Sequence, residues 1–150
     1  MNLEFANRLR QDFPQFNFEE SDDFYWSKKE NTIFFDLNSS NFHLLILREL
    51  AHALLGHEDF WLDIELLKME TEAWDLVKNA LTAQYGFCFN SNLAEQKLDT
   101  YRDWIHKRSL CPNCKVNGFQ QRDLSYKCPA CGTVWQNNDS RFKSLRRKIK

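Results

Sequence analysis

The chain has 150 residues, is 43% hydrophobic with thirteen Phe and five Trp, and carries a formal net charge of −1. That is enough apolar material for one ordinary domain, or a domain with a small appendage, and it argues against disorder along most of the length. No run approaches the roughly 18 apolar residues of a membrane span, and "MNLEFANRLRQDF" lacks the apolar block of a signal peptide, so the expectation is a soluble, cytoplasmic protein. The charge is unevenly placed. Up to position 110 there are 19 acidic and 11 basic residues; beyond it there are 2 acidic and 9 basic. Opposite signs imply two surfaces or two tasks.

In chain order, "NLEFANRLRQDF" spaces Leu3, Phe5, Ala6 and Leu9 as on a helix, which Pro14 stops. "FNFEE", "DFYWS" and "TIFFDL" read as short strands, with "KKEN" a polar hairpin turn between the last two. Ser39, Ser40 and Asn41 are N-cap candidates for a helix from about Phe42 to Gly56. A second long helix spans about Leu62 to Tyr85. "GFCFN" is a strand or a turn, and Cys88 within it reads as a buried small hydrophobe. A third helix covers "SNLAEQKLDTYRDWIHKR", capped by Ser91 or Asn92. In it Tyr101, Arg102 and His106 offer a groove lining, against the plainer reading that Tyr101, Trp104 and Ile105 pack and the charges are solvated.

"CPNC" (Cys111, Cys114) and "CPAC" (Cys128, Cys131) lie thirteen residues apart. Four thiolates so spaced complete a tetrahedral zinc site closed to water, and in a cytoplasmic chain the spacing favours metal over disulfides. With turn residues Lys115 to Gly118 and Gly132 after the knuckles, the module reads as a zinc ribbon. Zinc would supply most of its folding free energy, since so few residues make no core of their own. "DSRFKSLRRKIK" closes the chain as a basic, helical tail. Arg141, Lys143, Arg146 and Arg147, with Lys148 and Lys150, are candidates for contacting nucleic-acid phosphates; a solvated tail, or one docked on the acidic body, is the alternative.

"LRELAHALLGH" holds the second half of a metal-binding H-E-x-x-H helix. Glu49 and His52 are in register, and Arg48 stands where the first histidine would be. Alone, E-x-x-H is weak, and a satisfied core His and Glu pair explains it. On the following helix, however, Glu70 falls in the middle of the apolar face of Leu66, Ala73 and Val77, whereas Glu72 falls on the polar side. A carboxylate there needs a cation.

Together, "LRELAHALLGH" and "METEAWDLVKNAL" resemble the ImmA/IrrE family of zincin-like metallopeptidases over roughly residues 1–90. The family pattern is H-E-L-x-H-x-L-L-G-H followed by E-x-x-A. The resemblance implies His52 and Glu70 as zinc ligands, Glu49 as catalytic base, Ala73 as the small residue beneath the site, and His57 as a common non-ligand. It also implies zinc-dependent cleavage of a protein partner such as a transcriptional repressor, with the substrate along an edge strand, for which "TIFFDL" is the candidate. Arg48 departs from the pattern. A guanidinium is always protonated and cannot ligate zinc. The simplest picture puts it in place of the metal, with Glu70 as counter-ion. The expectation is therefore an α+β protein: a zincin-like domain over residues 1–108 with a weak or empty first zinc site, a zinc ribbon over 109–137, and a basic tail over 138–150. The alternatives are a non-enzymatic nucleic-acid- or protein-binding regulator on the same scaffold, or a two-ligand site completed by water or His57.

Overall fold

The computed structural model describes all 150 residues and is mixed α and β. It forms two compact units, Met1–Asp59 with Met69–Ala94, and Phe60–Lys68 with Glu95–Lys150.

The first unit starts with α1 (Asn2–Asp12), which buries Phe5, Ala6 and Leu9. Three short strands follow: β1 (Asn17–Glu20), β2 (Tyr25–Ser27) and β3 (Thr32–Phe35). β3 lies in the centre of the sheet, parallel to β1 and antiparallel to β2. "TIFF" is suited to that place because β-branched and aromatic side chains pack well on a pleated surface. Tyr25 and Phe34 face each other across the β2/β3 pair, their rings stacked at 4.3 Å. Asn31, at φ 50°, takes the left-handed position in the hairpin turn, which asparagine tolerates. Both sides of β3 are occupied by neighbouring strands, so "TIFFDL" has no free edge for a peptide. This corrects the sequence expectation; only β1 and β2 are edges.

α2 (Phe42–Leu54) is apolar almost all round and buries Phe42, Leu45, Ile46, Leu47, Leu50, Ala51 and Ala53, with Glu49 and His52 buried among them. Phe42 sits edge-on to Phe35. α3 (Asp63–Leu76) continues without a break through a π-helical turn, Val77–Leu81, into α4 (Thr82–Tyr85). The wider turn has a local cause: the Thr82 hydroxyl donates to the Val77 carbonyl at 2.9 Å. Gly86 ends the run in a left-handed conformation. "GFCFN" forms no strand, and Cys88 within it is exposed, which corrects the expectation of a buried residue. The cap of α5 (Ser91–Ser109) is Asn90, whose Oδ1 accepts from the Leu93 N–H, rather than Ser91 or Asn92.

In the second unit, β4 (Phe119–Gln120), β5 (Tyr126–Lys127), β6 (Val134–Asn137) and β7 (Arg147–Ile149) form an antiparallel sheet in sequence order. The basic tail is thus not helical. Arg147 to Ile149 pair with Trp135 to Asn137, and the Lys150 N–H donates to the Val134 carbonyl. Charge-rich "RRKIK" reads locally as helix; the open edge of β6 recruits it as strand. Trp135 is fully buried, stacks on Tyr126 at 5.6 Å, and donates from Nε1 to the Arg108 carbonyl. A Cβ on Gly118 would lie 2.6 Å from the Trp135 ring and 2.8 Å from the Lys127 carbonyl oxygen, so only glycine fits there.

Candidate functional site

The four cysteines come together from two loops built alike. In each, the residue after the second cysteine turns left-handed, Lys115 at φ 63° and Gly132 at φ 75°. The N–H of that residue donates to the carbonyl of the first cysteine at 3.0 Å in both loops. The first cysteine's own N–H donates two residues beyond the second, to Val116 and to Thr133. The chain therefore curls twice around one point.

The sulfurs lie 3.6 Å (Cys111 and Cys131), 3.4 Å (Cys114 and Cys128) and 3.7 Å (Cys114 and Cys131) apart, and all four fall within 4.8 Å of one another. Four bonds of about 2.3 Å at tetrahedral angles put sulfurs about 3.8 Å apart. A disulfide needs about 2.05 Å, and all the cysteines are free. The cluster thus has the dimensions of a metal centre, and four soft thiolates select a tetrahedral thiophilic ion.

Neighbouring donors favour the thiolate at Cys131 and Cys111 but not at Cys114. The Thr133 hydroxyl, and then its N–H, pull Cys131 down to about 6. At Cys111 burial pushes the thiol up, but the N–H groups of Cys114 and Asn113 outweigh it and the net direction is down. At Cys114 the Val116 N–H pulls down, and the Cys128 thiol with burial wins, pushing it up to about 12. A cation binding the four sulfurs would displace the thiol protons.

The helix pair of the first unit carries the second cluster. Glu49, His52 and Glu70 are all buried. His52 Nε2 stands 3.2 Å from Glu70 Oε2. On its other side, His52 Nδ1 meets His57 Nδ1 at 2.8 Å, and His57 Nε2 meets Glu72 Oε2 at 3.0 Å. Only one hydrogen fits between the two Nδ1 atoms, so one ring donates and the other accepts. The result is a chain of four side chains, Glu70, His52, His57 and Glu72. The part of His57 and Glu72 in it was not read from the sequence, though "GH" two residues after α2 was the available signal.

Arg48 grips Glu49. Its Nη2 and Nε reach the same oxygen, Glu49 Oε1, at 2.6 and 2.8 Å. The carboxylate placed as a base in the sequence is therefore a counter-ion. The guanidinium also lies 5.8 Å from the Trp74 ring. A separation of 3.2 Å between His52 Nε2 and Glu70 Oε2 would suit two ligands of one ion with bonds of about 2.0–2.1 Å. The third donor is what fails. One turn before His52, on the same face, stands a permanent cation. These residues do not fit a catalytic metal.

The basic residues of the tail are partly engaged. Arg141 donates to the Tyr101 hydroxyl at 3.2 Å and lies 4.9 Å over that ring. Arg147 donates to the Lys107 carbonyl, and Lys150 pairs with Asp123 at 3.1 Å. Lys143, Arg146 and Lys148 are exposed.

A buried trio in the second unit escaped the sequence reading. Asp63 Oδ2 accepts from Arg108 Nε and from the Tyr126 hydroxyl, both at 2.7 Å. Burial, then this bond, raises the Tyr126 hydroxyl above its usual range. Arg108 also donates to the Asn138 carbonyl and to Ser140 Oγ, so the trio is a fully bonded structural anchor for α5 and the sheet. No helix is long and apolar enough to cross a membrane. No protein-family model, curated protein or solved structure matches this chain.

Proposed function

We propose that this chain is a non-hydrolytic relative of the ImmA/IrrE-type zincins, stapled by one structural zinc at Cys111, Cys114, Cys128 and Cys131, and that it works by binding a regulatory partner. The observation that carries this reading is the ion pair of Arg48 with Glu49. In the peptidases it resembles, the metal supplies a polarised water and the glutamate takes its proton. Here the glutamate is neutralised by a neighbour that cannot leave its charge behind. His52 and Glu70 keep their places and bond to each other and to His57, which suits a retained scaffold.

The zinc assignment is supported by the thiolate set and its tetrahedral spacing. With a closed four-sulfur shell it would have no open position for substrate. The partner is a protein or a nucleic acid, met by the second unit with its excess of basic residues.

Arg48→His tests the ancestry directly. It restores a third donor, and the variant is expected to bind a second zinc and to gain zinc-dependent peptidase activity on an unfolded protein substrate. If Arg48→His binds no second zinc, His52 and Glu70 are not the remains of a metal site. If the wild type already cleaves, the non-hydrolytic reading is lost.

A further inference from the structure

A cavity of about 420 Å³ opens in the second unit between α5 and the loop that leads into β7. This volume is in the range of small-molecule sites. Three cations line it, Lys107 from α5 and Arg141 and Lys143 from the loop. Arg141 is held in place by its bond to the Tyr101 hydroxyl, which uses one of five guanidinium donors. No carboxylate pairs with any of the three. Asp103 is the one acidic residue in the lining.

The neutral donors point the same way. Trp104 lines the cavity, and its Nε1 is buried with no acceptor in the protein. That atom is shielded from solvent, so it reports on the cavity wall and is not itself a ligand contact. Ser140 accepts from Arg108 and keeps its own hydrogen to give; Ser144 adds a second hydroxyl. A cavity with three cations and two hydroxyls matches a group that is small, multiply charged and made of acceptor oxygens. Phosphate is such a group, and the planar arginine fork suits it.

Between Arg141 and Lys143 stands Phe142, 88% exposed, with the Arg141 guanidinium 5.3 Å from its ring. An open aromatic face beside phosphate-binding cations is the arrangement that stacks a nucleobase.

We propose that the cavity of Trp104, Lys107, Arg141 and Lys143 binds the phosphate of a nucleotide, with Phe142 as the stacking face for its base. The phosphate comes from a free mononucleotide or from the 5′ end of a single strand. This rests on the second unit alone and holds whether or not Arg48 has silenced a peptidase, so either reading can fail without the other.

The test is titration of the full-length, metal-loaded protein, followed by NMR at the Trp104 indole N–H, assigned with Trp104→Phe. The probes are adenosine 5′-monophosphate, adenosine, inorganic phosphate, and a short oligoadenylate with and without its 5′ phosphate. The monophosphate or the phosphorylated oligonucleotide is expected to move the Trp104 signal, inorganic phosphate to compete, and adenosine to do nothing. Lys107→Glu and Lys143→Glu should each weaken binding by about tenfold or more, with metal content unchanged. Phe142→Ala should weaken the nucleotide but not inorganic phosphate. Equal affinity for the monophosphate and the phosphorylated oligonucleotide identifies the free nucleotide as the source; preference for the latter identifies a strand end. No binding of either at millimolar concentration, or binding indifferent to both charge reversals, overturns the proposal.

Discussion

Arg48 neutralises Glu49 within the first unit. Because it and Glu49 are both largely buried, removing either leaves a charge without its partner. Arg48→Met is expected to destabilise the protein by about 3–5 kcal/mol, read by denaturant unfolding, whereas an exposed pair such as Arg102 with Asp99 would cost under about 1 kcal/mol. The knuckles offer a second residue-scale comparison. Lys115 and Gly132 hold equivalent left-handed positions, yet only glycine takes that conformation without strain. Gly132→Ala should cost about 1–2 kcal/mol and Lys115→Gly should stabilise; a loss of thermal stability with Lys115→Gly would contradict the equivalence. The meeting of the four cysteines was visible in the sequence because it depends on spacing within two like loops; the ion pair of Arg48 with Glu49 was not, since the motif reads Glu49 as a base. The bond from His57 to Glu72 was not, since it joins residues fifteen apart whose meeting depends on how α2 and α3 pack.

At the scale of elements, local pattern was legible where the element makes its own case. α2 is apolar nearly throughout, and α3 carries Glu70 among buried neighbours. Reading failed where pairing is long-range. β7 has the composition of a helix and becomes strand only because β6 offers an edge; β3 reads as a possible edge and is the centre. The trio of Asp63, Arg108 and Tyr126 belongs to the same class, joining residues 45 and 63 positions apart. Asp63→Ala leaves the Arg108 guanidinium and the Tyr126 hydroxyl buried without their acceptor, and should destabilise by about 3–5 kcal/mol. Tyr126→Phe should cost less, about 1–3 kcal/mol. A larger loss for Tyr126→Phe than for Asp63→Ala would reverse this assignment. The raised Tyr126 hydroxyl fixes a sign as well. Its folded-state pKa lies above the unfolded value of about 10, so its stabilisation is complete below pH 10 and is lost as pH rises above it. Tyr126→Phe should flatten that alkaline loss.

Over the whole molecule, two units have two sources of stability. The first has an aromatic and aliphatic core from Phe5 to Leu81; the second has a small buried cluster of Cys111, Tyr126, Cys128 and Trp135 around the sulfurs. So small a cluster would draw much of its folding free energy from an ion held by the four cysteines. Chelation should therefore raise hydrogen exchange across residues 110–137 while leaving α2 protected. One ion held by the four sulfurs, and none held by the helix pair, is the expected metal content of the chain. Native mass spectrometry of the purified wild-type chain measures this directly. One zinc per chain is expected, lost in Cys111→Ser and kept in His52→Ala; two per wild-type chain, or loss of metal with His52→Ala, would contradict the account.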